Sequence, residues 1–321
     1  MAKGRSAMDK EVLIVIVGPT AVGKTDIAIA LAKILGGEII SADSMQIYKY
    51  MDIGTAKPSI QEREGIPHYM VDIVTPDQEF SVAQFQQQAK EVIQEVSQRG
   101  KLPIVAGGTG LYVNSLIYPM DFTEAGEDQD FRENMRALAL EKGNEYLYKK
   151  LCEIDPATAQ RLHHNDIRRI IRALEVYHLT GKPMSYYNQN LENDDEPYNS
   201  IIIGLTMDRS NLYNRINRRV DIMLKKGLVE EVKRLLEMGY DKNLTSMQGL
   251  GYKEIVAYLE GKRTLIESTE ILKRDTRRFA KRQFTWFKRI ENIHWVDRDN
   301  FNSKEELVSY LKQYIIKRLE K

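Results

Sequence analysis

Cysteine is almost missing from this 321-residue chain: Cys152 stands alone. That excludes an intrachain disulfide framework and a thiolate zinc cluster, and it suits a reducing compartment. Cys152 itself reads as a small, half-buried hydrophobe on a helix. Long apolar runs are missing too. The opening MAKGRSAMDK is polar, and the apolar stretch after it is far too short for a signal or membrane segment. No membrane association and a cytoplasmic location are therefore expected. Net charge is nearly absent, at +1, which taken as a total would argue against a polyanionic partner. Its distribution argues otherwise, because Lys273, Arg274, Arg277, Arg278, Lys281, Arg282, Lys288 and Arg289 face the single acid Asp275 in one short stretch. The balancing acids lie elsewhere, as in Glu124 to Asp130 and Glu192 to Glu196. Such segregation marks a patch for a polyanion.

What is present is a phosphate-binding loop, Gly18-Pro19-Thr20-Ala21-Val22-Gly23-Lys24-Thr25. The β-branched run 12–17 before it predicts a buried strand. After it, Ile27, Leu31, Ile34 and Leu35 fall at helical spacing, with Gly36-Gly37 as the stop. Strand, glycine loop and helix put backbone N–H groups and a helix N-terminus around one anion. Lys24 adds a point charge and the Thr25 hydroxyl a metal ligand. The loop requires a pyrophosphate or polyphosphate ligand without specifying ATP.

Further strands are expected at 38–41, 69–74, 102–106 and 200–205, with helical patterns between them, notably 81–98. This alternation predicts an α/β fold: a P-loop-type, mostly parallel sheet with helices on both faces. Ligands of such sheets bind beyond the carboxyl ends of the strands. From Pro119 to about Pro197 strand signals stop and short helical stretches follow, at 129–142, 144–153, 156–163 and 166–180. The expected organisation is a core of residues 1–119 and 198–321 interrupted by a small all-helical insertion domain, 120–197. After 206 two helices follow, with Leu212, Ile216, Val220 and Met223 on the buried face of the first and Leu228, Val232, Leu235 and Leu236 on that of the second.

Several groups are placed to do chemistry. Asp43 follows the second strand and should stand near Thr25, where it is a metal ligand, a general base or merely a turn cap. Gly107-Gly108-Thr109-Gly110 lets a ligand approach the backbone closely and offers the Thr109 hydroxyl, or is a plain strand-to-helix turn. Arg215 and Arg219, four apart, share a helix face and either reach a phosphate opposite Lys24 or meet solvent. Arg274, Arg278 and Arg282 recur every four residues beside Lys273, Arg277 and Lys281, giving a broad positive stripe suited to an RNA or DNA backbone. Phe279, Phe284, Trp286 and Phe287 are interleaved and read as core. His163 and His164, among Arg161, Arg168, Arg169 and Arg172, are basic surface and not a metal site. Missing again is an acid at the end of strand 102–106, which enzymes transferring phosphoryl groups with this loop use to hold their metal. A small-molecule kinase is thereby weakened. That kinase and a non-catalytic RNA-binding module remain the alternatives.

In order, GPTAVGKT, SADSMQIYKYMDIGTAKP, PIVAGGTGLY, NDIRRIIRALEVY, GLGYKE and KRQFTWFKR resemble the motif series of bacterial tRNA dimethylallyltransferases (tRNA isopentenyltransferases) over roughly residues 12 to 296. The resemblance implies transfer of a dimethylallyl group from dimethylallyl diphosphate to the exocyclic amine of the adenosine 3′ to a tRNA anticodon, releasing diphosphate with Mg²⁺. The loop would then hold the donor's diphosphate, and the adenine must leave its stack. Carried over by position, Asp43 accepts the amine proton and Thr109 helps place the reacting groups. Lys24, Thr25 and Arg219 bind and neutralise the diphosphate, with Mg²⁺ near Thr25. The tRNA contacts map onto Asp43, Ser44, Met45, Gln46, Thr109 and Arg132, then Arg168, Arg169, Ile170, Ile171 and Arg172, and finally Gln248, Gly249, Leu250, Gly251, Tyr252 and Lys253. The insertion would close over the anticodon stem-loop of tRNA. A monomer is expected.

Overall fold

A computed structural model describes residues 10–120, 126–189 and 196–320. The strands are β1 (Val12–Val17), β2 (Gly37–Ala42), β3 (His68–Tyr69), β4 (Leu102–Gly107), β5 (Asn199–Thr206) and β6 (His294–Asp297). They form one sheet in the order β3-β2-β4-β1-β5-β6, and every neighbouring pair is parallel. The helices are α1 (Lys24–Leu35), α2 (Val82–Gln98), α3 (Gly110–Ile117), α4 (Gln129–Lys142), α5 (Asn144–Ile154), α6 (Pro156–Gln160), α7 (Ile167–Thr180), α8 (Met184–Gln189), α9 (Arg209–Lys225), α10 (Leu228–Glu237), α11 (Tyr252–Leu259), α12 (Leu265–Phe287) and α13 (Lys304–Leu319). The expected α/β class is the class observed.

Both faces of the sheet are covered, which is why its central strands β1 and β5 carry nearly continuous apolar runs. Ile14 and Ile16 pack with Ile27 and Leu31 of α1, Ile216 of α9 and Leu311 of α13. Leu13, Val15 and Val17, on the opposite face, are equally inaccessible, and α2 and α3 lie against β4. A second cluster joins Ile47, Tyr48 and Met51 to α9–α12 through Val220, Leu228, Val232, Tyr252 and Leu272.

The register positions the site. Val17 pairs with both Gly107 and Gly204, and Ala42 with Gly107. Four strands therefore end side by side, so the loop after β1, Asp43 after β2 and Thr109 after β4 leave one edge. A Cβ on Gly107 would lie 2.1 Å from the Ala42 carbonyl oxygen, so only glycine lets β2 and β4 finish this close together.

The chain divides into two compact units, one running to Ile117 and resuming at Tyr198, the other Tyr118–Pro197. In the second, α4–α7 pack around Leu147, Leu151, Ile170, Ile171 and Leu174.

Three local expectations are corrected. The strand expected at 69–74 stops at Tyr69, because Met70 and Asp72 take φ of +61° and +58°. Amides of Asp72, Ile73 and Val74 then donate to the carbonyls of Gln46 and Ile47 instead. The helix expected over 156–163 ends at Gln160. Cys152 is exposed rather than half-buried. β6, a four-residue strand paired with β5 at the sheet edge, adds to the expected strands. The acidic run 192–195 and residues 124–125 lie outside the described residues.

Candidate active site

The loop after β1 and the start of α1 form one wall of a cleft of about 440 Å³. Gly23 caps α1 at φ +95°, a left-handed conformation that favours glycine. Lys24 folds back over the loop and donates from Nζ to the carbonyls of Gly18 and Pro19, 2.9 Å each. Burial pushes its ammonium down to about 7; the Asp43 carboxylate opposes that shift and the Arg219 cation adds to it. On the outer side, Arg215 Nε donates to the Ala21 carbonyl at 2.9 Å and Arg298 Nη1 to that of Val22 at 2.7 Å. Two guanidinium groups thus pin the loop backbone.

The same cleft is lined by Asp43 and Gln46 and, from α9, by Arg215, Arg218 and Arg219. Burial also lowers the Arg219 guanidinium from its usual range, opposed by Asp43 and Asp26 and reinforced by Arg215. Cations desolvated around one cavity signal an anion to be bound there. Asp43 Oδ1 accepts from the Met45 amide at 2.9 Å, so this carboxylate caps its own turn and still borders the cleft. Buried Gln46 accepts from Ser41 Oγ at 2.9 Å and reaches the Thr55 and Ala56 carbonyls at 3.4 Å, locking the segment from 41 to 56.

Lys24, Thr25, Asp43, Gln46 and Arg219 are therefore brought together. Thr109 sits on the adjoining turn. Its Oγ1 accepts from the Ser44 amide at 3.0 Å and lies 3.2 Å from Ser44 Oγ, while its own amide donates to the Ala42 carbonyl at 3.1 Å. Among the other residues singled out in the sequence, Tyr252 is fully buried. Its hydroxyl donates to Glu231 at 2.8 Å, and burial, with Glu231 beside it, raises the phenol far above its usual range. It is an internal brace rather than a surface contact. Gln248 and Lys253 are exposed, and Gly249 packs against Met45.

In the helical unit, Arg168 and Arg169 are exposed, whereas Ile170 and Ile171 have side chains in the unit's core. Those two isoleucines present nothing to a partner, because they are the apolar stripe of α7. Arg132 and Arg172 both engage the fully buried Glu175, at 2.8 and 2.7 Å. Both guanidinium groups are thus held in place by one carboxylate.

The basic stripe on α12 is narrower than its sequence suggests. Arg274, Arg278, Lys281 and Arg282 are exposed, the first two sharing Asp275 on their own helix at 2.8 and 3.5 Å, whereas Lys273 pairs with Asp221 of α9 at 2.8 Å and Arg277 donates to Asn217 at 2.6 Å. Phe287 is core, as expected, while Phe279 lines the cleft.

Three contributors escaped the sequence reading. Gln283 accepts from the Thr20 amide at 2.8 Å and donates to the Gly108 carbonyl at 2.9 Å. It lies on the stripe of Phe279, Ala280 and Phe287, and a polar residue within such a stripe was the available signal. Glu231 accepts from the amides of Asp52, Ile53 and Gly54 at 2.9, 2.8 and 3.0 Å, and so shapes the MDIG turn. Arg298, which follows β6, had no local signal.

Among the described residues no group of three or more His, Cys, Asp or Glu could hold a metal ion, and no helix is long and apolar enough to cross a membrane.

Residues 46–290 match the family described as IPP transferase. The chain is 58% identical over 303 residues to a tRNA dimethylallyltransferase of Acetivibrio thermocellus, covering 94% of this chain and 97% of that one. It is 53% identical over 312 residues to that of Clostridioides difficile, covering 96% and 100%. The tRNA isopentenylpyrophosphate transferase of Bacillus halodurans has a similar structure, at 46% identity with TM-score 0.73 and 97% of each chain covered. A eukaryotic dimethylallyltransferase acting on tRNA superposes with TM-score 0.81 at 31% identity, covering 96% of this chain and 80% of that one.

Proposed function

The chain belongs to the IPP transferase family and is a transferase that prenylates tRNA, and from that premise we propose how its cleft carries out the reaction. The donor is dimethylallyl diphosphate, with its diphosphate against the loop Gly18 to Thr25. The acceptor is the exocyclic amine of the adenosine 3′ to the anticodon, turned out of its stack into the cleft. The kinase and the RNA-binding module have no comparable support.

The observation that carries this reading is the gathering of opposite charges in one cleft: the buried cations Lys24 and Arg219 and the carboxylate of Asp43 line it together, close enough for Asp43 to influence both cations. The amine attacks the allylic C1 of the donor. A C–N bond forms, the C1–O bond breaks, and the diphosphate leaves with the bonding pair. Lys24 and Arg219 stabilise the charge that develops on the leaving oxygen. Asp43 takes the proton released from nitrogen, and its Oδ1 bond to Met45 fixes the carboxylate for that transfer. Thr109 holds the Asp43 turn through Ser44.

Mg²⁺ fits this donor set in one way. It is a hard cation that is commonly held by one or two protein oxygens plus substrate phosphates. The Thr25 hydroxyl borders the cleft, and a cage of carboxylates is not required. Bound there, it would neutralise charge on the departing diphosphate.

The tRNA backbone is met by Arg274, Arg278, Lys281 and Arg282 on α12 and by the exposed Arg168 and Arg169 of the helical unit. We place the enzyme in the cytoplasm and assign it a monomeric working form. Incubation with labelled dimethylallyl diphosphate or labelled ATP, with and without tRNA, tests the reading. Label should pass from dimethylallyl diphosphate to tRNA alone. Transfer from ATP, or tight tRNA binding without transfer, would contradict it.

A further inference from the structure

Gln283 is a buried polar group that lines the cleft and that the chemistry above leaves without a task. Its side chain is 6% exposed on the inner face of α12. A buried amide is costly unless its hydrogen bonds are made. Both of those found here go to backbone of the site loops rather than to neighbouring helices. Its Oε1 takes the Thr20 amide of the diphosphate loop, and its Nε2 gives to the Gly108 carbonyl of the turn after β4. A Cβ on Gly108 would lie 2.3 Å from Gln283 Nε2, so the bare backbone at this turn is what lets the bridge close. From Gly108 the path continues to Thr109, whose amide binds the carbonyl of Ala42 and whose Oγ1 accepts from Ser44. Ala42 and Ser44 flank Asp43.

We propose that Gln283 is a positioning residue for prenyl transfer: it sets the spacing between the loop holding the leaving diphosphate and the turn carrying the proton acceptor. The inference rests on the reading of the site given above. Attack needs the amine, the allylic carbon and the proton acceptor in one geometry, and a misplacement of ~1 Å at a remote support costs about a hundredfold in rate. Gln283 acts on that geometry through the two loop backbones that it bridges.

Gln283→Met keeps the length and volume of the side chain and loses both hydrogen bonds. Gln283→Asn keeps the amide but is one methylene too short to span Thr20 and Gly108. Each is compared with the parent and with Asp43→Asn by single turnover of labelled dimethylallyl diphosphate at saturating tRNA. Donor and tRNA dissociation constants and melting temperature are measured separately. Expected is a fall of about 10- to 100-fold in the saturated single-turnover rate of both variants, with both dissociation constants within about threefold of the parent. A purely structural role would instead move the melting temperature and both dissociation constants together. Should the Met variant fail to fold, the same split in the Asn variant decides. A saturated rate within about threefold of the parent overturns the proposal, and so does a loss confined to donor affinity that excess donor restores. If Asp43→Asn turns over as fast as the parent, the reading of the site itself falls, and the role of Gln283 with it.

Discussion

Donor affinity should fall with rising pH, and Lys24 sets the window. In the free enzyme burial holds this ammonium at about 7. A diphosphate placed against it favours the charged form, and an opposite charge within about 4–6 Å shifts a pKa by roughly 1–3 units. In the complex Lys24 should therefore titrate higher than in the free enzyme, so binding takes up a proton wherever the free group has already lost it. The direction follows from that. The Lys24 contribution to affinity is fully present below about 7 and is lost as pH rises from there to the value in the complex. Between pH 7 and pH 9 a shift of one unit weakens binding about fivefold, and one of three units about fiftyfold. Equilibrium dialysis of labelled dimethylallyl diphosphate in excess Mg²⁺ across this range gives the profile. Calorimetry in buffers of different ionisation heat gives the proton uptake. Lys24→Arg keeps its charge throughout and should bind with little pH dependence, and Lys24→Ala should bind weakly and with little pH dependence. A parent profile that is flat from pH 7 to pH 9, or an equal slope in Lys24→Ala, would refute the assignment.

Two further perturbations separate the RNA surface from the scaffold. Replacing Arg274, Arg278 and Arg282 together by alanine should weaken tRNA binding and flatten its salt dependence by about 0.7–0.9 in log–log slope per lost phosphate contact; an unchanged slope would mean that these exposed side chains only meet solvent. Glu231→Ala leaves three backbone N–H groups and the Tyr252 hydroxyl without their acceptor, and urea unfolding should show a loss of about 3 kcal/mol or more; a loss under about 1 kcal/mol would show that the MDIG turn does not depend on it.

What could be read from the sequence was local. The phosphate loop shows itself because strand, glycines and helix are consecutive, and β1, β2, β4 and β5 show themselves through the short Ile- and Val-rich clusters that burial on both faces demands. β6 escaped, since its four residues, HWVD, pair only with β5 at the sheet edge and only Val296 is buried. β3 ends sooner than its apolar run suggests because Met70 and Asp72 take positive φ, after which the amides of Asp72, Ile73 and Val74 bond to the distant carbonyls of Gln46 and Ile47. Among the site residues, Lys24, Asp43 and Arg219 had positional signals. Gln283, Glu231 and Arg298 act on backbone far away in the chain, at separations of 263, 179 and 276 residues for Thr20, Asp52 and Val22. No local pattern carries such contacts.

The role of Asp43 is the centre of the account, and Asp43→Asn isolates it. The amide keeps an Oδ1 to accept from Met45, so the turn survives, and it can still face the adenine amine, but it cannot take the proton. The exocyclic amine is a poor nucleophile because its lone pair is drawn into the ring, and a positioned base contributes about two to four orders of magnitude to such a step. Single-turnover transfer from labelled dimethylallyl diphosphate, with tRNA and donor both saturating, should slow at least about a hundredfold while both dissociation constants stay near those of the parent. A rate within a few-fold of the parent would reduce Asp43 to a turn cap and leave the reaction without its base.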